Sequence, residues 1–308
     1  MKPEISAVAT TKDGRKKIKL PPSVFKTAAE QLRFDAVRSG NLSIDQWSKV
    51  QAYASPVCPD EAEPTGEFAF AITLRGDAKA IRILLKPEEL QRLGLFVNAR
   101  LPNEPDAESR FEFNWRGDGD LSVPLAPLRL PILSLNGPSV SQKRCKRTLH
   151  VEPVRLLVGH KAIRKFVALY KRSLATATEL GGCLIGRMVD LDSTLIEDAV
   201  IAEDGSASAN EFSYDPHFWL SARKTAEQAG KRVMGWIHSH LCDDGYPRTI
   251  SYRDLLTCHE FFCSPWFVTA LVCVSRHKPD VKWFTWSNGA LVEQTDAIEF
   301  VGPSHKES

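Results

Sequence analysis

Residues 233–254 read VMGWIHSHLCDDGYPRTISYRD. The opening run, Val233–Ile237, is apolar or small and suits a strand. His238 and His240 follow where that run ends. Residues two apart on a strand point to the same side, so two imidazoles placed this way can share one cation. A polar loop comes next, and Ser251–Phe262 has the pattern of a helix. A carboxylate one turn into that helix can return over the end of the strand. Catalytic zinc sites combine neutral imidazole with carboxylate and keep a fourth position for water. His238, His240 and Asp254 are therefore the candidate ligands for Zn2+. Other readings of the same residues stand beside this one. With 8 histidines in the chain, a His-x-His pair arises readily by chance. Ser251 followed three residues later by an acid also has the spacing of a helix capping box. Asp243 and Asp244 are rival ligands, or a solvated turn with Gly245.

Outward from this stretch the pattern is regular. Upstream, Arg155–Val158 reads as a short strand. Ile163, Phe166, Val167, Tyr170 and Leu174 fall at helical spacing. Leu180–Met188 and Ser193–Ala202 read as paired strands around a turn at Asp190–Asp192, and Glu203–Asn210 as a polar loop. Asp215–Ala229 reads as a helix with Pro216 in its first turn, and Arg232–His238 as a strand. Downstream, Trp266–Ser275 and Val281–Trp286 complete the strands. Strands mixed with helices are most simply arranged around one sheet.

The first half is less regular. Residues 1–20 read as a flexible polar tail. Ser23–Ser39 suits a helix, and a second helix is expected from Ser43, because Ser43-Ile44-Asp45-Gln46 has capping-box spacing. Pro56, Pro59 and Pro64 read as chain breakers. Phe68, Phe70, Ile72 and Leu74 alternate as in a strand with one buried face. Ala80–Leu85 and Arg110–Trp115 suggest further strands, and Leu121–Leu135, with its three prolines, an edge or irregular ribbon. No cluster of His, Cys and carboxylates suggests chemistry here. Asn136-Gly137-Pro138 and then SVSQKRCKR mark a seam. The expected organisation is a tail at 1–20, a small α+β domain at 21–138, a linker at 139–152 and a second domain at 153–302. The expected fold class is α/β, of mixed α+β character.

Composition limits the alternatives. The chain has 308 residues, 43% hydrophobic and 25% charged, which is enough for two ordinary cores. A formal net charge of +2 gives no global electrostatic case for nucleic acid or a membrane surface. No apolar run approaches the roughly 18 residues of a membrane span, and the basic N-terminus lacks the apolar segment of a secretory signal. Seven scattered cysteines suit a reducing cytoplasm better than a disulfide framework.

In combination, these residues resemble the JAMM motif of the JAB/MPN metalloprotease family. That motif is a glutamate at the start of a strand, then His-Ser/Thr-His-Pro, then Ser-x-x-Asp. Glu179 opens ELGGCLIGR, Met234–His240 reads MGWIHSH, and Ser251–Asp254 supplies the last element. The resemblance covers about residues 155–290. Two features depart from the family: Leu241 replaces the usual proline, and the segment from His240 to Ser251 is longer than usual. The resemblance implies an MPN-like domain with a central mixed sheet flanked by helices. It also implies zinc on His238, His240 and Asp254, Glu179 as general base, and Ser251 as a donor to the oxyanion. The implied substrate is a ubiquitin-like protein or its conjugates, cleaved after its C-terminus. An extended tail could add to the sheet edge beside the metal. Small bacterial-type members of the family accompany ubiquitin-like conjugation enzymes, including those of antiviral defence operons. The N-terminal domain could then dock such a partner. A non-catalytic MPN scaffold and a hydrolase of small amide or sulfur-carrier adducts are the alternatives. Among other residues, Cys242 invites a redox-sensitive zinc contact or no role at all. Cys258, His259 and Cys263 have no common zinc spacing and suit packing, as do Cys183 and Cys273. Trp236 shares a strand face with His238 and suits packing or a wall of the site.

Overall fold

A computed structural model of the chain describes residues 2–11, 14–57, 69–76, 80–85, 89–100, 111–126, 154–202, 206–208, 211–213, 216–244, 248–295 and 298–301. Helices and strands are mixed throughout, as expected of the α/β class. The chain forms two compact units, one mainly of Met1–Leu128 and the other mainly of Glu152–Trp286 with Val292–Ser308. The expected linker at 139–152 lies outside the described residues. No described helix is long and apolar enough to cross a membrane.

The first unit corrects the expectation of a flexible tail at 1–20. Strand β1 (Glu4–Thr11) and strand β2 (Gly14–Leu20) form an antiparallel hairpin. Its register sets Ile5 against Leu20 and Ala7 against Ile18, and all four are buried. Arg15, Lys16, Lys17 and Lys19 are exposed. Their charge makes the segment read as a tail, although its apolar residues alternate at the strand period. Helix α1 (Lys26–Arg38) follows a single 3-10 turn, Pro22–Phe25, close to the expected helix. The helix expected from Ser43 is one 3-10 turn, Ile44–Gln46. The capping box is present, with Ser43 Oγ accepting from Gln46 N and Gln46 Oε1 accepting from Ser43 N. The chain then turns to bury Trp47 against Phe34 instead of continuing the helix.

Strands β3 (Gln51–Val57), β4 (Ala69–Arg75) and β5 (Ile81–Leu85) build a second sheet, and helix α2 (Gln91–Asn98) follows. Strand β6 (Phe111–Arg116) pairs with β1, and strand β7 (Leu121–Val123) pairs with β3. Pro56, expected to break the chain, lies inside β3. Among the described residues β7 pairs only with Ala52–Ala54, so no described strand takes an N–H from Pro56 on that side of β3. Phe70, Ile72 and Leu74 are buried as expected, but so are Ala69 and Ala71, so both faces of β4 are covered. Phe68, Pro59, Pro64 and residues 127–135 of the expected ribbon lie outside the described residues.

The second unit is built on an eight-stranded mixed sheet, ordered β16-β15-β14-β13-β9-β10-β8-β17. Its elements are β8 (Arg155–Gly159), α3 (His160–Thr176), β9 (Gly181–Asp190), β10 (Ser193–Ile201), β11 (Ser206–Ser208), β12 (Glu211–Ser213) and α4 (Pro216–Gln228). After these come β13 (Arg232–Leu241), α5 (Tyr252–Phe261), β14 (Val268–Val274), β15 (Asp280–Ser287), β16 (Ala290–Gln294) and β17 (Ile298–Val301). Strands β13 and β14 run parallel, joined by the crossover through α5, while β9 lies antiparallel to both β10 and β13. Every residue of β14, VTALVCV, is buried, as expected of an inner strand covered on both faces. Helix α3 buries Ala162, Phe166, Leu169 and Ser173, whereas Val167, expected on the inner stripe, is 47% exposed. The expected polar loop at Glu203–Asn210 holds the strand β11, paired with β12.

Candidate metal centre

Strand β13 reaches Leu241, three residues past the expected end at His238, so both His238 and His240 lie within it. Gly235 makes this strand possible. It sits at φ +148° beside a register shift, and a Cβ there would overlap the carbonyl oxygen of Val268 on β14. Only glycine lets β14 approach so closely at that dihedral. Beyond it the strand alternates regularly. Both imidazoles are almost fully buried, and their Nε2 atoms lie 3.2 Å apart.

Asp254 is the third residue of α5, in its first turn, and faces both rings. Its Oδ1 is 3.2 Å from His238 Nε2 and its Oδ2 is 3.2 Å from His240 Nε2. The capping reading of Ser251 and the ligand reading of Asp254 describe one arrangement. Ser251 Oγ accepts from Asp254 N at 3.2 Å, and Asp254 Oδ2 accepts from Ser251 N at 2.6 Å. Burial by itself would raise the Asp254 carboxyl, but the imidazoles of His238 and His240 hold it well below the usual carboxylate range.

With Asp254 ionised, protons on the two rings always leave one contact of this triangle opposed. Each Nε2 has one in-plane site, a proton or a lone pair, and each faces two partners. Protonating both rings serves the carboxylate but opposes two N–H groups across 3.2 Å. Leaving either ring neutral at Nε2 turns a lone pair toward a carboxylate oxygen. A cation at the shared point accepts one lone pair from each atom and removes the conflict. The spacing suits it: bonds of about 2.0–2.1 Å at tetrahedral angles separate ligand atoms by about 3.3 Å. His238, His240 and Asp254 can thus hold a metal ion, with ligand atoms all within 4.8 Å of one another.

Glu179 lies in the connection from α3 to β9, buried at 6% exposure, with Oε1 4.0 Å from His240 Nε2. Two serines pin the peptides on either side of it. Ser173 Oγ on α3 donates to Thr178 O at 2.6 Å. Ser239, between the two histidines, faces the opposite side of β13, where its Oγ accepts from Leu180 N at 2.9 Å. The two hydroxyls are themselves 3.0 Å apart, and Ser239 N donates to Leu180 O at 2.8 Å. Burial raises the Glu179 carboxyl from 4.5 to about 7, with His240 lowering it and Asp254 raising it. The two acids thus have opposite character, one held ionised and one poised to exchange a proton. Strand alternation was enough to send Ser239 away from the histidines. Its partner Ser173 lies 66 residues away, and no local pattern signals the pairing.

The remaining candidates separate clearly. Asp243 Oδ2 accepts from Arg276 N at 2.6 Å, tying the long loop to the turn after β14 and not to the imidazoles. Cys242 Sγ donates to His240 O at 3.5 Å and contacts Cys273, and burial raises its thiol, so it is not poised as a thiolate ligand. Cys258 is buried beside Thr269, and His259 packs edge-on to Trp286 with centroids 4.8 Å apart, in keeping with packing roles. Residues 245–247 of the loop lie outside the described residues. The expectation of a sheet edge beside the metal is corrected: β13 is flanked by β14 and β9, and the sheet's edges are β16 and β17.

No family model matches the chain, and no curated protein matches it. Among solved structures, it is similar to the solution structure of a protein from Desulfitobacterium hafniense. The two share 24% identity at a TM-score of 0.39, over 49% of this chain and 95% of the other. A likeness that loose carries no argument about function.

Proposed function

We propose that the chain is a zinc-dependent isopeptidase or peptidase that cleaves after the C-terminus of a ubiquitin-like protein. The observation that carries this reading is the convergence of His238, His240 and Asp254 with a second buried carboxylate beside them. Glu179 lies 4.0 Å from His240, and its carboxyl is raised to about 7. Pairs of carboxyls driven apart in this way divide into ligand and proton carrier. Zinc bound there supplies a Lewis acid that polarises a carbonyl and makes water easier to deprotonate. Glu179 takes the proton from the attacking water and returns it to the leaving amine, a task suited to a group that titrates near neutrality. Ser251 Oγ receives the Asp254 N–H, which leaves its own proton free for a developing oxyanion.

The choice of a ubiquitin-like substrate rests on the motif resemblance through Glu179, MGWIHSH and Ser251–Asp254. Among its described residues the first unit carries no such cluster, and it suits recognition of that substrate or of a conjugation enzyme. The test is zinc content together with cleavage of a ubiquitin-like fusion by wild type, Glu179→Gln and His240→Ala. Wild type should bind one zinc and cleave. Glu179→Gln should bind zinc without cleaving, and His240→Ala should do neither. Wild-type protein that takes up no zinc ends the enzyme reading, and full activity in Glu179→Gln removes the base assignment.

A further inference from the structure

Histidines that bind metals through Nε2 ordinarily donate Nδ1–H to a carboxylate or carbonyl, which fixes the ring's plane and tautomer. His238 departs from this. Its Nδ1 is buried and has no hydrogen-bond partner among the described residues. The ring must be held in another way. Trp236, two residues earlier on the same face of β13, stacks on it with centroids 4.3 Å apart and planes 14° from parallel.

The indole is itself anchored on several sides. Its Nε1 donates to Thr269 Oγ1 at 3.0 Å, and Thr269 is its register partner on β14. Phe262, just past α5, stacks on Trp236 at 5.6 Å and 15°, and Trp219 of α4 packs on Phe262 at 4.8 Å. The column therefore runs from α4 through α5's end to the ligand ring. The indole is 3% exposed and rigidly seated. A flat ring against a flat ring resists tipping of the imidazole, which is the motion that would carry Nε2 away from the shared point.

We propose that Trp236 is a positioning residue of the metal centre, setting the plane of His238 by stacking where a hydrogen bond to Nδ1 would otherwise do so. This rests on the metal reading above. Trp236 is not one of the three candidate ligands, so it acts on the centre through the ligand ring it stacks on.

The test compares zinc affinity, by competition with a chromophoric chelator, and thermal stability in wild type, Trp236→Phe, Trp236→Leu and Phe262→Leu. Trp236→Leu keeps apolar bulk but loses the flat face, and it should weaken zinc binding by about 10–100-fold, the range for loss of an outer-shell partner. Trp236→Phe should stay within about threefold of wild type, because a planar ring remains. Phe262→Leu removes packing behind the indole and should lower stability with zinc affinity within about threefold. In cobalt-substituted protein, Trp236→Leu should also alter the visible absorption bands, a sign of changed ligand geometry that general destabilisation does not produce. Wild-type affinity in Trp236→Leu overturns the proposal and leaves the metal reading intact. Equal losses in Trp236→Phe and Trp236→Leu likewise overturn it in favour of simple packing. Wild type that binds neither metal overturns both readings. Should Trp236→Leu fail to fold, Trp236→Met supplies adaptable apolar bulk without a flat face instead. It should weaken zinc binding by more than about threefold, and unchanged affinity there refutes the proposal.

Discussion

Ser239→Ala isolates the contact that holds Glu179 in place. The Ser239 side chain is fully buried, and its oxygen accepts from Leu180 N–H at 2.9 Å. Truncation leaves two neighbouring groups satisfied. Ser173 still donates to Thr178 O at 2.6 Å, and Leu180 O still receives Ser239 N–H at 2.8 Å. The Leu180 N–H is left buried without its acceptor, which costs about 1–3 kcal/mol. The alanine retains the Cβ, so the packing contribution is small. In a unit of this size each kcal/mol lowers the melting temperature by about 2–4 °C, so the expected loss is about 2–12 °C. Calorimetry measures that loss, and amide exchange shows where it arises: the Leu180 amide should lose protection while amides of β14 keep theirs. With zinc loaded, cleavage should fall while zinc affinity holds, because the base moves and the ligands stay. A melting temperature within about 1 °C of wild type, with Leu180 protection unchanged, would refute the idea that Ser239 holds the base segment.

Other outcomes follow from the same geometry. In metal-free protein, Glu179 keeps a proton that the unfolded chain has lost between pH 4.5 and about 7, so stability should fall as pH rises through that window. Glu179→Gln should abolish this slope and exceed wild type above pH 7 by at most about 3 kcal/mol; parallel stability curves for the two proteins would contradict it. Asp254→Asn retains an oxygen able to cap α5 but loses the ligand charge. At about pH 8 it should bind zinc at least about tenfold more weakly while α5 keeps a capped start; unchanged zinc binding would leave Asp254 as a cap only. Gly235→Ala must move β14 away from β13 and should cost about 3 kcal/mol or more, seen as a lower urea midpoint or loss of folded protein. Ile18→Lys places a charge at a buried position of the N-terminal hairpin and should destabilise the first unit; a stable variant would return residues 1–20 to the status of a tail.

What the sequence made legible depended on how local each signal was. The helix over Lys26–Arg38, the hairpin of β9 and β10 and the crossover from β13 through α5 to β14 each carry their own periodicity, and all lie near their expected positions. The N-terminal hairpin was obscured because four cationic residues in β2 outweigh two buried apolar ones. Pro56 was misread as a breaker because its tolerance depends on how far β7 extends, which lies some 65 residues downstream. In the site, His238, His240 and Asp254 were legible through spacing. Their supporting groups were less so. Ser173 meets Ser239 only through folding, and the stack of Trp236 on His238 shows in the sequence only as shared parity on a strand. The long loop's attachment through Asp243 to Arg276 likewise needs the turn that brings the two together.

The Asp254 carboxylate has a consequence beyond ligation. The same oxygen that faces His240 also receives the first free N–H at the start of α5. A cation drawn to this carboxylate and the first turn of the helix are therefore thermodynamically linked. Loading the site stiffens the helix start, and fraying of that turn releases the ion. Affinity here is partly a property of backbone order. Amide exchange at residues 251–255 would thus report occupancy without any assay of cleavage, and a partner gripping the loop between β13 and α5 could tune metal retention without touching a ligand.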